Sequence, residues 1–270
     1  MFNPYLSRWG LIPDGEPIIT HTSQLLPVIT IKDNLKAMLK LTTDTNERVG
    51  CDLMVWWNGN GAAKVLAHED GAILLERARG LASLSTMSKI GQDEKSCQII
   101  CNVANKLHVP KKTSTPILTP LHHWFRSLEP AAKTYGGIMI DCADVAKKLL
   151  ASPQDIVVLH GDLHHNNVLD FENSGWLAID PKGLIGERGF DFANIFTNPD
   201  LADPSISIAI EPKIFAQRLK VVAENAGIDR QRLLMWIVAW CGLSSAWFLE
   251  DGDNALITMK VAEMALAELN

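Results

Sequence analysis

Short runs rich in apolar residues recur through the first eighty residues and have the character of β-strands. Turn-forming residues separate these runs at Asn34 and over residues 58–61 (Asn-Gly-Asn-Gly). One stretch with helical character interrupts them, beginning with Thr43 or Asp44 as a plausible N-cap and continuing to about Trp57. The predicted strands cover residues 17–20, 26–31, 36–41, 62–66 and 72–76.

The pattern changes to a helical period after Gly80. Residues 93–107 carry apolar positions on one helical stripe. Residues 110–120 are rich in Lys, Thr and Pro and are predicted to form a loop. Further helices are predicted over residues 134–150, 212–225, 230–248 and 255–269, and short strands over 156–159, 167–170 and 175–180. We therefore expect an α+β protein with a small β-rich lobe over residues 1–78 and a larger, mainly helical lobe over residues 79–270.

Composition narrows the class of protein. Of the 270 residues, 47% are hydrophobic and 21% are charged, so a sizeable core can form. The formal net charge of −6 disfavours binding to nucleic acid or to an anionic membrane. Five cysteines, an odd number without framework spacing, do not predict a disulfide scaffold. We expect neither a nucleic-acid nor a membrane partner, and no obligate protein partner is evident.

The segment over residues 233–249 contains no charged residue and is nearly long enough to span a bilayer. Arg230 and Arg232 precede it, Glu250 and Asp251 follow it, and Gly and Ser lie inside it. We interpret it as a helix, or a pair of helices, buried in a protein core. Because the N-terminus also lacks the pattern of a signal peptide, we expect a cytoplasmic protein.

The residues with the clearest chemistry lie between the short strands of the second half. Asp162 is followed five residues later by Asn167, and Asp180 comes thirteen residues after that. Phosphoryl transfer from ATP needs a carboxylate that orients the acceptor hydroxyl, plus oxygen ligands for Mg²⁺. A strand–loop–strand hairpin would bring Asn167 and Asp180 to adjoining strand ends. The pattern therefore indicates Asp162 as the catalytic residue and Asn167 and Asp180 as metal ligands.

Two other interpretations compete for the same segment. His160, Asp162, His164 and His165 could form a metal site of a hydrolase, although adjacent histidines on a regular strand point to opposite sides. Alternatively, His-Gly-Asp is only a turn with solvated acidic groups. The partner Asp180 and the flanking apolar strands favour phosphoryl transfer over both.

The sequence also resembles a known family. His160-Gly161-Asp162-Leu163-His164 with Asn167, followed by Ile179-Asp180, is similar to the catalytic loop and metal-binding segment of aminoglycoside phosphotransferases, which are relatives of protein kinases. Residues 21–28, 56–63, 175–181, 183–187, 190–200 and 243–248 resemble the streptomycin 6-phosphotransferase branch, which is grouped with hydroxyurea-resistance kinases. The resemblance covers nearly the whole chain and implies a protein-kinase-like, two-lobed fold.

The resemblance assigns nucleotide-binding roles in the N-terminal lobe. Lys40 matches the lysine that contacts the α- and β-phosphates of ATP, and Glu47 on the first helix would be its ion-pair partner. Residues 75–78 resemble the hinge, where the backbone of Glu76 and Ala78 would bind the adenine edge. The loop over the phosphates, residues 20–28, contains no glycine, so Thr22 and Ser23 would have to contact phosphate instead.

Two residues near the catalytic loop are implied to position it. His160 would hold the loop backbone rather than act as a base, and Asp191 resembles the family aspartate that braces the loop through hydrogen bonds.

The resemblance also implies a cationic acceptor, streptomycin, which carries two guanidinium groups and a methylamino group. Carboxylates bind guanidinium through charge-assisted hydrogen bonds, and aromatic rings add cation–π attraction. The candidate substrate residues are Asp200, Glu250, Asp251 and Trp247, with Asp203, Asp253, Trp236 and Trp240 nearby in sequence. The same tryptophans have the spacing of a core helix, and residues 250–253 could equally form a solvated turn.

The function expected from the sequence is transfer of the γ-phosphoryl group of MgATP to a hydroxyl of streptomycin, by resemblance the 6-hydroxyl, which would confer antibiotic resistance. One alternative is a kinase of the same fold that acts on hydroxyurea or another small hydroxylated molecule. A second is a catalytically silent module that binds a nucleotide or a partner.

Overall fold

The computed structural model describes residues 2–203 and 205–269, which form a strand-rich N-terminal part followed by a helical part. The strands are β1 (Leu11–Pro13), β2 (Ile18–Ile19), β3 (Ser23–Thr30), β4 (Lys36–Thr42), β5 (Val65–Glu69), β6 (Ala72–Glu76), β7 (Thr119–Pro120), β8 (Ile156–Leu159), β9 (Val168–Asp170), β10 (Trp176–Ala178) and β11 (Leu184–Glu187). The helices are α1 (Asn3–Trp9), α2 (Thr45–Trp57), α3 (Leu84–Lys89), α4 (Asp93–Leu107), α5 (Leu121–Trp124), α6 (Leu128–Tyr135), α7 (Ile138–Ala151), α8 (Gly189–Ala193), α9 (Pro212–Ala226), α10 (Arg230–Glu250) and α11 (Leu256–Leu269).

The N-terminal sheet is antiparallel, with the strand order β1-β3-β4-β6-β5 and with β2 added to β3. One of its faces packs on α1 through a small core that includes Leu26, Val28, Leu39 and Leu74. Helix α2 begins where the Asp44 carboxylate accepts hydrogen bonds from the amides of Asn46 and Glu47, which satisfies two free helix donors. The predicted N-cap and the predicted end of this helix are therefore confirmed.

The helical part is built around α10. This helix is apolar between Arg232 and Glu250, and 72% of its most apolar stretch is buried within the protein. It packs against α7, α8, α9 and α11, and Trp236 and Trp240 contact Phe190 of α8 edge to face. The structure thus agrees with the interpretation of this segment as a core helix.

The sequence missed or misplaced several elements. The helix predicted over residues 134–150 is two helices, α6 and α7, because Gly136 and Gly137 between them have φ values of 64° and 54°, in the left-handed region that glycine tolerates. The strand predicted over residues 62–66 begins only at Val65, while Ala62 forms a bridge to Ala178. Helix α1 was not predicted.

The N-terminal sheet and the helical part are joined by a short connecting segment. Strand β6, the last strand of this sheet along the chain, ends at Glu76, and α3 begins at Leu84. Between them, the Gly80 amide donates to the Asp170 carbonyl at 3.0 Å, so the connecting segment runs along the β9–β10 hairpin. A division of the chain near residue 78 into two lobes stays a prediction.

Candidate active site

The loop that carries Asp162 connects β8 to β9 and is held by a buried carboxylate. Asp191, on α8, accepts hydrogen bonds from the amides of His160 and Gly161, both at 2.8 Å, and its Oδ2 lies 2.8 Å from His108 Nε2. Burial opposes ionisation of Asp191, but the hydrogen bonds and charge of His108 and the loop amides hold its pKa below the usual value. The expected bracing role of Asp191 agrees with this geometry.

His160 is a fully buried part of the same brace. Its Nδ1 accepts a hydrogen bond from the Asp162 amide at 3.2 Å, so the proton resides on Nε2, which lies 2.8 Å from the Ile179 carbonyl. The ring stacks on Trp57 with an interplanar angle of 16°. Burial lowers the pKa of His160, which keeps the ring neutral and suits a positioning role.

Two amide side chains orient the Asp162 carboxylate. Asn167 Nδ2 donates to Oδ2 at 3.2 Å, and Asn194 Nδ2 donates to Oδ1 at 2.9 Å. The orientation of the Asn194 amide is itself fixed, because its Oδ1 accepts a hydrogen bond from Asn198 Nδ2 at 2.8 Å. Asn194 was not identified in the sequence, because a single Asn on a short buried helical turn, residues 194–197, has no spacing signal.

Asn167 and Asp180 lie at the end of one hairpin, as expected. Strands β9 and β10 pair antiparallel, and the Ile179 amide donates to the Asn167 carbonyl at 2.9 Å. Asn167 Nδ2 is engaged with Asp162, which leaves its Oδ1 as a free oxygen donor. Asp180 has a left-handed backbone, with φ of 61°, and both residues line one cavity. Two oxygen donors on one cavity wall fit Mg²⁺, which usually retains several waters.

Asp180 also belongs to an ion cluster at the base of this cavity. Lys40 Nζ contacts Glu47 Oε2 and Asp180 Oδ1, and Lys182 Nζ lies 2.9 Å from Glu47 Oε1 and 3.4 Å from Asp180 Oδ2. Burial by itself would raise the pKa of Asp180, but the two lysines lower it to about 2. The predicted Lys40–Glu47 pair is present, whereas the sequence did not indicate Lys182.

The cavity above the ion cluster has a volume of about 420 Å³ and lies between the sheet and the β9–β10 hairpin. Its walls are mainly apolar and form a slot of the kind that accepts a flat aromatic ring. They include Leu25, Met38, Met54, Ile73, Leu75, Leu169, Phe171 and Ile179.

The predicted hinge follows β6 along one edge of this cavity. The Glu76 amide donates to the Lys64 carbonyl and the Glu76 side chain accepts from the Lys64 amide, so the Glu76 amide is engaged within the protein. Ala78 also lines the cavity. The backbone contacts of Glu76 and Ala78 to adenine stay a prediction.

Ser23 lies at the start of β3, in the loop expected over the phosphates. Its amide donates to Thr20 Oγ1 at 3.0 Å, and its carbonyl accepts from the Thr20 amide and hydroxyl at 2.9 Å each. Its own hydroxyl lies 3.5 Å from Glu47 Oε2. Only the hydroxyl is therefore available to a phosphate, and the assignment of Ser23 to the cofactor stays a prediction.

A second cavity, of about 320 Å³, lies beside Asp162. The carboxylates of Asp162, Asp251 and Asp253 line it together with the rings of Trp240 and Trp247. The two indole rings pack edge to face, with centroids 5.9 Å apart. A cavity of acidic and aromatic groups suits a cation. Of the four predicted substrate residues, Asp251 and Trp247 line it.

The other two predicted substrate residues lie elsewhere. Asp200 is buried, and its Oδ2 accepts a hydrogen bond from the Ala209 amide at 3.0 Å, so its carboxylate points into the protein rather than into the cavity. Glu250 is exposed outside the cavity lining. Trp240, Ser244 and Trp247 recur every three or four residues along one face of α10, and Asp251, directly after the helix, continues this face. Glu250 is rotated by about 100° from Asp251.

The alternative histidine metal site is not assembled. His160 Nε2 contacts the Ile179 carbonyl, while the His165 ring is buried away from polar partners. His164 is the only one of the three whose ring nears the Asp162 carboxylate, with Nε2 3.6 Å from Oδ1. Across residues 2–203 and 205–269, no three His, Cys, Asp or Glu side chains converge on a potential metal position.

Solved structures with the same arrangement identify the fold class. The chain superposes on the crystal structure of aminoglycoside phosphotransferase APH(4)-Ia with a TM-score of 0.65 at 13% identity, over 97% of this chain and 96% of that one. For an ethanolamine kinase of Plasmodium vivax the TM-score is 0.62 at 16% identity, over 98% and 83%. The fold is therefore the protein-kinase-like fold of small-molecule phosphotransferases, as the sequence predicted.

Sequence comparison adds the family. The model of the aminoglycoside/hydroxyurea antibiotic resistance kinase family matches residues 8–252, and the chain belongs to this family. It is 47% identical to a streptomycin 3''-kinase of Klebsiella pneumoniae, over 96% of this chain and 98% of that protein. It is 28% identical to a streptomycin 6-kinase of Streptomyces griseus, over 95% and 85%. The family predicted from the sequence is thus confirmed.

Proposed function

We propose that this protein transfers the γ-phosphoryl group of MgATP to a hydroxyl group of streptomycin. The observation that carries the proposal is that Asp162 lines one cavity while Asn167, which donates a hydrogen bond to its carboxylate, lines another of different chemistry. One cavity offers an apolar slot above the ion cluster, and the other offers carboxylates and indole rings. A group transferred from the first cavity to a cation bound in the second would pass directly beside Asp162.

In this proposal the nucleotide occupies the first cavity. Adenine enters the apolar slot and meets the backbone of Glu76 and Ala78, and Lys40 binds the α- and β-phosphates. Asn167 and Asp180 would hold Mg²⁺, which when bound neutralises charge on the phosphate oxygens. Glu47 keeps the Lys40 ammonium in place from the opposite side.

Asp162 acts on the acceptor. Its carboxylate, held by Asn167 and Asn194, orients the acceptor hydroxyl and takes its proton as the new oxygen–phosphorus bond forms. Because the transition state of phosphoryl transfer is loose, accurate positioning contributes more than base strength.

The second cavity binds the acceptor. Asp251 and Asp253 attract its guanidinium or methylamino groups, and Trp240 and Trp247 supply aromatic faces. Hydroxyurea, the acceptor named for a 28% identical relative from Kitasatospora aureofaciens, carries no cation for these carboxylates to bind. The acidic lining therefore supports streptomycin over hydroxyurea.

The position of phosphorylation is the finer part of the proposal. The sequence resemblance implied the 6-hydroxyl, on the ring that carries the guanidinium groups. The identity of 47% to a streptomycin 3''-kinase, against 28% to a streptomycin 6-kinase, supports the 3''-hydroxyl, on the methylamino sugar. We therefore favour the 3''-hydroxyl.

Product analysis tests both the acceptor molecule and the position of phosphorylation. Purified protein is incubated with ATP, Mg²⁺ and streptomycin, and the product is examined by mass spectrometry and by ³¹P–¹H correlation NMR. We expect one added phosphoryl group with a phosphorus coupling to H3''. A coupling to H6 would establish the 6-hydroxyl instead. Unmodified streptomycin, with phosphorylated hydroxyurea in a parallel reaction, would refute the proposed acceptor.

A further inference from the structure

Lys182 is a charged residue of the active site that has no part in the proposed function. It follows Asp180-Pro181, and its amide donates to the His160 carbonyl at 2.7 Å. Its Cβ lies 3.1 Å from the position that a Cβ on Gly161 would occupy, so its backbone packs directly against the catalytic loop. The start of the Lys182 side chain is therefore fixed beside Asp162.

The Lys182 ammonium reaches from this loop into the ion cluster. Lys182 and Lys40 share the carboxylates of Glu47 and Asp180, with each lysine taking one oxygen of each carboxylate. Lys182 is thus a cation held between Glu47 and Asp180, with its backbone against the loop that carries Asp162.

The phosphoryl group that is transferred must pass between these same two aspartates if the proposed function holds. Negative charge spreads over its three equatorial oxygens in the transition state, and a fixed cation nearby stabilises that charge. The catalytic loop itself, residues 160–167, contains no Lys or Arg, and burial keeps its His160 neutral. Lys40 is expected at the α- and β-phosphates, so Lys182 is the lysine of the ion cluster that remains for the γ-phosphoryl group.

We propose that Lys182 supplies this cation, as a catalytic residue that contacts the γ-phosphoryl oxygens of bound ATP. When Asp180 turns one oxygen to the metal, the contact at 3.4 Å is released and a Lys182 donor becomes available to the phosphate, while Glu47 at 2.9 Å keeps the side chain in place. During transfer, the bond between the γ-phosphorus and the β–γ bridging oxygen breaks, and the acceptor oxygen forms the new bond. The acceptor proton passes to Asp162, and Lys182 keeps its own proton.

The inference rests on the proposed nucleotide site but not on the identity of the acceptor, so nucleotide binding tests it separately. The affinities of MgADP and of MgAMP-PNP are measured by calorimetry for the wild type, Lys182→Met and Lys40→Met. Lys133→Met serves as a control, because Lys133 pairs only with Glu129 on the exposed face of α6. Loss of a charge-assisted hydrogen bond to the γ-phosphate should weaken AMP-PNP binding by about 10- to 100-fold in Lys182→Met.

The expected pattern separates Lys182 from a structural lysine. Lys182→Met should leave ADP affinity within about 2-fold of the wild type, whereas Lys40→Met should weaken both nucleotides. Equal effects of Lys182→Met on ADP and AMP-PNP, or no effect on either, would overturn the inference. If Lys182→Met does not fold, Lys182→Gln, which retains a hydrogen-bond donor to Glu47 without the charge, is measured against the same criteria.

Activity gives a second, independent result. In a wild type that phosphorylates streptomycin, Lys182→Met should lower kcat by about 100-fold or more while KM for streptomycin changes little. An unchanged kcat would overturn the inference and leave the proposed function intact. A wild type that binds both nucleotides but does not modify streptomycin would refute the proposed acceptor, while the ratio of the two affinities would still decide the role of Lys182.

Discussion

Asn194 offers a sharp test of how the catalytic carboxylate is held. Its Nδ2 donates to Asp162 Oδ1 at 2.9 Å, and its Oδ1 accepts from Asn198 Nδ2 at 2.8 Å. Asn194→Ala removes both bonds. Asp162 then retains only the longer side-chain bond from Asn167, at 3.2 Å, and is free to rotate away from the acceptor hydroxyl.

The size of the effect follows from the kind of bond that is lost. A hydrogen bond to a charged group contributes about 1.5–3 kcal/mol, which corresponds to a fall of about 10- to 100-fold in kcat. The buried Asn198 amide keeps only the Asn194 carbonyl at 3.2 Å, so we also expect a loss of about 1–3 kcal/mol in the free energy of unfolding.

The assay is steady-state kinetics of streptomycin phosphorylation, combined with urea unfolding of the same preparations. We expect kcat to fall while KM for ATP stays within about 2-fold, because Asn194 lies outside the lining of the nucleotide cavity. In an Asp162→Asn background, Asn194→Ala should have little further effect on kcat, since the two residues act as a unit. A folded Asn194→Ala protein with unchanged kcat, or additive effects in the double variant, would refute the reasoning.

Three further predictions concern stability, acceptor binding and pH. Arg218→Met should lower the free energy of unfolding by about 3–5 kcal/mol in urea titrations, because it leaves the Asp93 carboxylate buried without its cation, and a simultaneous Asp93→Leu should restore part of the loss. Asp251→Asn should raise KM for streptomycin by about 10-fold and leave KM for ATP unchanged. Glu250→Gln, outside the cavity, should change neither KM. Equal effects of the two variants would contradict the assigned acceptor cavity. The pKa of Asp180 is about 2 in the folded protein against an ordinary 3.8, so its charge stabilises the nucleotide-free fold above about pH 4 and this contribution is lost as the pH falls toward 2. Asp180→Asn should therefore show a shallower loss of stability over this interval in acid titrations followed by circular dichroism, and an unchanged slope would argue against the ion cluster.

The elements that the sequence predicted well are those with strong local signals. Asp44 and Asn58 mark the two ends of α2 through capping chemistry, and the apolar stripe of residues 93–107 predicts α4 to the residue. By contrast, the break between α6 and α7 depends on two adjacent glycines inside an otherwise helical pattern. Apolar periodicity continues across that break, so period alone could not show it.

The residues of the site also differ in how strongly the sequence indicated them. Lys40, Glu47 and Asp180 meet in one ion cluster although Asp180 is 140 residues from Lys40. The resemblance of their motifs to the family indicated Lys40 and Glu47, whereas the spacing from Asp162 and Asn167 had already indicated Asp180. Lys182 and Asn194 have no such motif signal. Their roles depend on tertiary contacts, of Lys182 to Glu47 and of Asn194 to Asp162, that join residues 135 and 32 positions apart in the chain.

The acceptor residues show the limit of reasoning from residue type. Asp200 and Asp251 are both carboxylates near aromatic residues in sequence. Only Asp251, directly after α10, lines the cavity, while Asp200 accepts a backbone hydrogen bond in the interior. Burial raises the pKa of Asp200, which further disfavours a role in binding a cation. Side-chain direction, which sequence does not encode locally here, decides between them.

The most direct test of the account is ATP consumption by purified wild type and Asp162→Asn, each with and without streptomycin. Asp162→Asn keeps the shape of the side chain and removes the charge that orients the acceptor hydroxyl and takes its proton. We predict streptomycin-dependent turnover in the wild type, a loss of about 1,000-fold or more in Asp162→Asn, and unchanged affinity for MgADP in both. Comparable streptomycin-dependent turnover by the two proteins would contradict the central claim that Asp162 carries the chemistry.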